Sequence, residues 1–281
     1  MNQDQVGVAL MSNAGGSGKT TLATNLAYEL AHQGHSVCLF GFDPNASLTM
    51  FTGLEEPPPR QTLDYVLSKD FQGDWPLFDC WPDRTDKVQV CLGGLIMTQT
   101  VERLTTADRK TEMLLDRLED YPLPHEFLIF DCPGTIDLIH KIALTASDAV
   151  IVPIQPDNKD MLSCGTLLNW IYEMIGTLRL RPAPEILGVV PNRVRLHDRA
   201  AHRDNLGLSN RVQTEEDPPS LPAILESMQI RVFDLIKDSA EIGNAASLGL
   251  PLRAYRPGHP ANKNFQEIAT ALLEAVEEWA D

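Results

Sequence analysis

Short apolar runs rich in β-branched residues alternate along this chain with longer amphipathic segments. Several runs are continuously apolar, which is typical of parallel strands that helices cover on both faces. The pattern predicts an α/β fold, doubly wound, with a mostly parallel sheet and helices on both faces. The predicted strands are Val6–Met11, Ser36–Phe42, Val88–Leu92, Phe127–Phe130, Ala149–Ile154, Ile186–Val190 and Val232–Ile236.

The clearest predicted helix covers residues 262–279, where apolar side chains recur every three or four positions and the glutamates lie off that stripe. A helix that binds a membrane surface would carry Lys and Arg on its polar face, so we expect this one to pack on the protein. The proline-rich runs 55–60 and 215–222 are predicted as exposed loops inside a single domain of residues 1–281, because predicted strands follow both.

Length and composition limit the kinds of protein that this chain can be. With 281 residues, the chain suits one large α/β domain or two small ones. It has no apolar stretch of 18 residues and no basic leader, so we expect a cytoplasmic protein that uses no membrane. The five cysteines are an odd number without CxxC pairing, which favours buried thiols over a disulfide framework or a zinc site.

Charge is distributed unevenly. The net charge of −16 argues against a chain coated in basic residues for nucleic acid. The segment 179–211, however, holds seven arginines against three acidic residues, a local charge of +4. We therefore expect a basic surface on an acidic body.

A glycine-rich segment, residues 12–21 (SNAGGSGKTT), joins the first predicted strand to an amphipathic helix. Glycines let backbone N–H groups turn inward around an anion, and the helix N-terminus adds its positive end. A lysine here reaches phosphate oxygens, and the following threonine offers a hydroxyl to Mg²⁺. The strict phosphate-loop pattern needs glycine where Asn13 stands, but the strand–loop–helix context supports the assignment. The predicted phosphate-binding residues are Gly15, Gly16, Ser17, Gly18, Lys19, Thr20 and Thr21.

Two aspartates end predicted strands, Asp43 after SVCLFGF and Asp131 after HEFLIF. Ligands of open α/β sheets sit at the carboxyl ends of the strands. An aspartate there holds Mg²⁺ or its waters, and one that orients a water in line with a terminal phosphate permits hydrolysis. Both residues are also ordinary turn or cap residues, so the aspartates favour a nucleotide site only together with the loop.

At these residues the sequence resembles the ParA/MinD family of deviant Walker ATPases. Similar segments run through nearly the whole chain, from the phosphate loop through FLIFDCPG, ASDAVIVPIQPD and GVVPNRV to ASLGLPLRAYRP. The resemblance implies a nucleoid-associated protein that forms ATP-sandwich homodimers and binds non-specific DNA. It also implies slow, Mg²⁺-dependent ATP hydrolysis, stimulated by a ParB-like or McdB-like adaptor, that positions or partitions a cargo.

Carried over by position, the resemblance makes Lys19 the phosphate-loop lysine and Thr20 a Mg²⁺ ligand. Asp43 becomes the residue that positions the attacking water, with Asp131 as the Walker B aspartate; both are assigned to the metal site. Asn192 is implied to contact adenine.

Two positions depart from the family pattern. Ala14 stands where most members carry a lysine that reaches the partner's phosphates, and Gly41 replaces a common aspartate. Lys159, at the start of a predicted helix, is the candidate replacement cation, with Lys141 as a weaker one and a solvated surface lysine as the plain alternative. Because it lacks the loop lysine, the sequence resembles the McdA branch of the family, which positions carboxysomes.

The arginines that follow the strand ending at Val190 form the candidate DNA-binding group, because phosphate contacts need cations and no base-reading code. A solvated arginine-rich face remains the alternative. These arginines are Arg193, Arg195, Arg199, Arg203 and Arg211. Two further classes stay open: a MinD-like membrane-associated regulator, and a metabolic or iron–sulfur enzyme with Cys91 and Cys132 as ligands.

Overall fold

In the computed structural model, which describes residues 5–209 and 218–280, seven strands form one sheet in the order β3-β4-β2-β5-β1-β6-β7. Neighbouring strands are parallel, except that β3 runs antiparallel to β4. The strands are β1 (Val6–Leu10), β2 (Val37–Gly41), β3 (Phe78–Asp79), β4 (Val88–Cys91), β5 (Phe127–Asp131), β6 (Ala149–Ile154) and β7 (Glu185–Pro191).

Helices connect the strands and cover the sheet. A short 3-10 helix also spans Pro59–Gln61. Over the described residues the α-helices are α1 (Lys19–His32), α2 (Ser47–Thr52), α3 (Leu63–Val66), α4 (Met97–Leu104), α5 (Met113–Asp120), α6 (Leu138–Thr145), α7 (Asn158–Leu178), α8 (Ala200–Asn205), α9 (Leu221–Ser227), α10 (Ala240–Ser247), α11 (Leu252–Tyr255) and α12 (Asn262–Ala280).

Each face of the sheet carries its own apolar core. On one face, α1 and α12 bury their apolar stripes, including Leu26 and Phe265, against the sheet. On the other, α5, α6 and α7 contribute side chains such as Leu118, Ile142 and Leu167. Because helices cover both faces of a mostly parallel sheet, the doubly wound α/β prediction is confirmed.

The prediction of a strand at Val232–Ile236 is wrong. This segment runs beside β7 but joins it only through isolated bridges, Val189 with Val232 and Val194 with Lys237. Its buried side chains, Phe233 and Ile236, are three residues apart. A strand that buries one face needs a spacing of two, so the apolar content misled the prediction.

Two other details differ from the sequence pattern. The strand β3 was not predicted, because two residues are too short to show any periodicity. The proline-rich run 215–222 does not stay a loop to its end: α9 begins at Leu221 with Pro222 in its first turn, where proline is well tolerated. Residues 215–217 of that run lie outside the described residues.

Candidate functional site

The glycine-rich loop connects the buried strand β1 to the first residue of α1, Lys19. Gly16 and Gly18 have φ values of 81° and 91°, in the left-handed region that favours glycine. A Cβ on Gly18 would lie 2.1 Å from the side-chain nitrogen of Asn192. The loop therefore has the geometry of an anion-binding nest at a helix N-terminus, and position 18 requires glycine.

Lys19 lies under the loop. Its Nζ donates to Ser12 Oγ at 2.8 Å and to the Ala14 carbonyl at 3.1 Å. Ser12 Oγ also lies 2.7 Å from Ser17 Oγ. Burial lowers the pKa of Lys19, while Asp131 acts in the opposite direction. The ammonium group thus sits within the curve of the loop, where an anion would meet it.

Thr20 and Asp131 bring a hydroxyl and a carboxylate together. Thr20 Oγ1 donates to Asp131 Oδ2 at 2.8 Å, and the second carboxylate oxygen is buried without a partner. Burial raises the pKa of Asp131 to about 7. Hydroxyl and carboxylate oxygens suit Mg²⁺, which is usually held by one or two carboxylates together with substrate phosphates. The orphaned oxygen fits such a cation, which Thr20 and Asp131 would hold.

Asp43 lies just beyond the carboxyl end of β2 and is partly exposed. Its Oδ1 accepts from the backbone N–H of Asn45 at 3.0 Å and from the Asn45 side chain at 2.9 Å. The carboxylate thus rests in a local turn at the rim of the site, at the same edge of the sheet as Asp131. Gly41, at the end of β2, is confined: an added Cβ would lie 3.3 Å from both the Gly93 nitrogen and the Leu48 side chain.

Asn192 and Arg193, directly after β7, hold the opposite side of the glycine-rich loop. Asn192 Nδ2 donates to the Ser17 carbonyl at 2.9 Å, and Arg193 Nη1 donates to the Gly16 carbonyl at 3.0 Å. Arg193 also adopts a left-handed backbone with φ 53°. The two residues that follow β7 thereby hold the loop from outside. Arg193 differs from the other described arginines of its group because it lines the site.

These groups surround a cavity of about 780 Å³. The glycine-rich loop, Lys19 and Asp43 form one part of its wall, and Asn192 and Arg193 form another. Sequence reasoning missed a third part, formed by Lys237, Asp238 and Ser239 with α10. The signal was present, since three polar residues follow the apolar segment 232–236 just as Asp43 and Asp131 follow their strands.

The candidate replacement lysine is exposed and is the second residue of α7. Ala14 and residues of the first turns of α7, including Asp160 and Ser163, line one small cavity. Lys159 therefore lies in the first turn of a helix that passes beside Ala14. Lys141, by contrast, lines a separate cavity of about 900 Å³ between α6, α7 and the segment 105–112.

The described arginines of the candidate DNA-binding group lie beyond β7, and internal acceptors engage them. Arg195 is paired with Asp198, and Arg199 Nη1 lies 3.3 Å from Asp157 Oδ1. Arg203 donates to the Leu196 carbonyl, and Arg193 Nε lies 3.9 Å from Asp238. Arg179 and Arg181 precede the amino end of β7, whereas the other arginines follow its carboxyl end. The segment 179–211 therefore does not form one continuous basic face. Arg211 lies outside the described residues.

All five cysteines are buried free thiols. Burial raises the pKa of Cys91 and Cys132 well above the ordinary thiol value, which favours protonated side chains packed in the core. Within the described ranges, no group of three or more His, Cys, Asp or Glu side chains could hold a metal ion. The same ranges contain no helix long and apolar enough to cross a membrane.

Comparison with known proteins places this geometry in a family. The sequence model of the AAA domain family AAA_31 matches residues 6–181. The chain is 27% identical over 225 residues to the maintenance of carboxysome distribution protein A of Synechococcus elongatus, covering 80% of this chain and 87% of that protein. It is 28% identical over 276 residues to the chromosome partitioning protein ParA of Caulobacter vibrioides, covering 95% and 93%.

A solved structure has the same fold. The ATP complex of a Cyanothece McdA variant superposes with a TM-score of 0.79 at 23% identity, covering 96% of both chains. The family match spans more than half of this chain and includes the glycine-rich loop, Asp43 and Asp131. The chain therefore belongs to the AAA_31 family of AAA domains and is a ParA/MinD-family Walker protein that resembles McdA.

Proposed function

We propose that this protein binds ATP and Mg²⁺ in the 780 Å³ cavity and hydrolyses ATP slowly. The observation that carries the proposal is the meeting of Lys19, Thr20 and Asp131 beneath a glycine-rich loop at a helix N-terminus. In this proposal Gly15, Gly16, Ser17, Gly18 and Thr21 complete the phosphate cradle.

The remaining roles follow from position. Lys19 exchanges its bonds to Ser12 and the Ala14 carbonyl for phosphate oxygens. Asp43, at the rim, orients the attacking water and approaches the metal's water shell. Asn192 sits beside the loop with a side-chain amide that suits the edge of a base, while Mg²⁺ supplies charge neutralisation at the phosphates.

The proposed active form is an ATP-dependent homodimer in which Lys159 replaces the lysine missing at position 14. Ala14 has no charge to offer, and α7 starts beside it. An ammonium group that crosses to the partner's phosphates stabilises the charge that develops during transfer. Because Lys159 is exposed, its side chain is free to extend across such an interface.

We propose that the dimer binds non-specific DNA through Arg195, Arg199 and Arg203, with Arg193 at the boundary of the nucleotide site. The carboxylate pairs of Arg195 and Arg199 are partly exposed, and such surface pairs contribute at most about 1 kcal/mol. DNA phosphates can therefore displace them at small cost. Two patches in one dimer would convert weak contacts into useful binding.

The proposed role is to position or partition a cargo in the cytoplasm, on the nucleoid, with an adaptor that stimulates hydrolysis. Support comes from relatives whose names refer to carboxysome distribution and chromosome partitioning. A McdB-like adaptor accompanies the first kind of cargo and a ParB-like adaptor the second. A membrane-bound role has less support, because α12 buries its apolar stripe in the core.

Light scattering with and without ATP·Mg²⁺ tests the dimer. We expect Lys159→Ala to remain monomeric with ATP, whereas Lys141→Ala, a matched lysine removal in another cavity, dimerises like the wild type. Dimerisation of Lys159→Ala would dismiss the assigned lysine. A wild-type chain that stays monomeric and hydrolyses no ATP would refute the proposed function.

Binding to a random-sequence duplex at two salt concentrations tests the DNA surface. Arg195→Glu should weaken binding and flatten its salt dependence, because fewer counterions are released. Arg181→Glu makes the same charge change before the amino end of β7, away from the proposed DNA surface, and should have little effect on binding. Equal affinities for the two variants would place the DNA surface elsewhere.

A further inference from the structure

Asp157 occupies the residue directly before α7, but its side chain does not cap that helix. Aspartate at this position ordinarily accepts from backbone N–H groups of the first turn. Here Asp157 Oδ1 lies 3.1 Å from His202 Nε2 and 3.3 Å from Arg199 Nη1. The carboxylate that would cap the helix carrying Lys159 is thus bound instead to Arg199 and His202, which belong to the segment 179–211, called the basic stretch below.

Both ring nitrogens of His202 are hydrogen-bonded, and Nε2 is the one that contacts Asp157. Its side chain is fully buried, and Nδ1 accepts from the backbone N–H of Arg195 at 2.9 Å. An accepting Nδ1 in a neutral imidazole puts the proton on Nε2, so Nε2 donates to Asp157. His202 therefore joins the loop at Arg195 to the residue that directly precedes α7.

The contact extends along one face of α8. His202 and Asn205 are three residues apart on α8, which places them on the same side of the helix, and Arg199 is the residue directly before it. Asn205 Nδ2 donates to the Pro156 carbonyl and to Asn158 Oδ1, each at 2.9 Å. The face thus holds three consecutive residues, 156–158, immediately before Lys159.

The Asp157 carboxylate takes its donors from Arg199 and His202 in this structure. In an ordinary helix cap it would instead accept from the first-turn amide of α7 at Lys159. The Arg199 side chain is 47% exposed and available to a DNA phosphate, whereas His202 stays buried. One group with two arrangements is the kind of element through which distant sites become coupled.

We propose that this contact couples the basic stretch to Lys159, with His202 as the positioning residue that keeps Asp157 on α8. The inference rests on the proposed function and assigns a regulation to the same site. DNA that binds Arg199 competes with Asp157 for that side chain and so changes the contacts of Asp157 at the start of α7. Self-association through Lys159 in turn changes the affinity of the surface for DNA. Linkage requires the two effects to be equal in size.

The experiment measures the dimerisation constant in ATP·Mg²⁺ with and without a random-sequence duplex. For the wild type we expect DNA to tighten dimerisation by at least about fivefold, the lower end of ordinary coupling. His202→Gln keeps a donor near the Nε2 position and should retain that factor. His202→Asn keeps an acceptor near Nδ1 but lacks the donor to Asp157, so its factor should fall to nearly one.

Two further variants complete the test. His197→Asn makes the same substitution at an exposed histidine of the same loop and should behave as wild type. If His202→Asn does not fold, Asn205→Ala decides the matter, because it removes only the contacts at the partly exposed end of α8. It should lower the coupling factor at least twofold.

The outcomes separate the two proposals. A wild-type chain that does not dimerise with ATP·Mg²⁺ overturns the proposed function and this inference together. If the wild type dimerises, Lys159→Ala does not, and the folded position-202 variants share the wild-type coupling factor, only the inference is overturned. Loss of coupling in His202→Asn with rescue by His202→Gln supports it, since damaged packing alone would affect both variants.

Discussion

Replacement of Gly18 by alanine should destabilise the protein in the absence of nucleotide. Alanine in the left-handed conformation that Gly18 adopts, with φ 91°, costs about 1–2 kcal/mol. The new Cβ would lie 2.1 Å from Asn192 Nδ2, which now donates to the Ser17 carbonyl. Losing that buried hydrogen bond costs a further 1–2 kcal/mol or so. We expect the free energy of unfolding to fall by about 2–4 kcal/mol.

Gly15→Ala is the matched control in the same loop. Gly15 lies outside the left-handed region, and an added Cβ would meet nothing within 4 Å. Its free energy of unfolding should stay within about 0.5 kcal/mol of wild type. Urea denaturation without nucleotide measures both variants, compared by midpoint at a common m-value.

A double variant isolates the clash. If the alanine Cβ acts against Asn192, then Gly18→Ala combined with Asn192→Ala will be more stable than the two separate losses predict. If the two losses of stability are strictly additive, backbone strain alone accounts for the destabilisation by Gly18→Ala. A Gly18→Ala protein as stable as Gly15→Ala would refute the reasoning altogether.

Other predictions concern buried charges. Because burial raises the pKa of Asp131 to about 7, the folded state binds an extra proton between about pH 4 and 7. Stability should therefore fall as pH rises through that window, by up to about 4 kcal/mol, and Asp131→Asn should remove the slope in urea titrations with EDTA. Arg253 Nε contacts both carboxylate oxygens of Glu29, whose side chain is 2% exposed. Arg253→Ala should cost about 2–3 kcal/mol at pH 7, and adding Glu29→Gln should recover part of it; no recovery would contradict the pairing.

The parts of the site that sequence predicted are those fixed by local chain order or by a general rule of parallel sheets. β1, the glycine-rich loop and α1 are contiguous in sequence, so a single segment of the chain is enough to predict their phosphate-binding role. Asp131 is the last residue of β5 and Asn192 follows β7, and the carboxyl ends of parallel strands lie together at one side of the sheet. These residues come together without any knowledge of side-chain packing.

Sequence could not show which partners distant segments would supply. The stretch 179–211 has a positive local charge, but Asp157 and Asp238 approach its arginines from elsewhere in the chain. A charge count over a window cannot detect such carboxylates. For the same reason the contact of Arg193 with the Gly16 carbonyl was not foreseen, since the two residues are 177 positions apart.

In the proposed dimer the bridging cation lies on α7 instead of on the glycine-rich loop, and this position changes what controls it. A lysine at position 14 would depend on the conformation of the loop, and hence on the bound phosphates alone. Lys159 depends on the first turn of a 21-residue helix whose preceding residues are held by α8. In the proposed dimer, therefore, the basic stretch gains influence over the residue that completes the partner's site. A conventional loop lysine would not be under that influence.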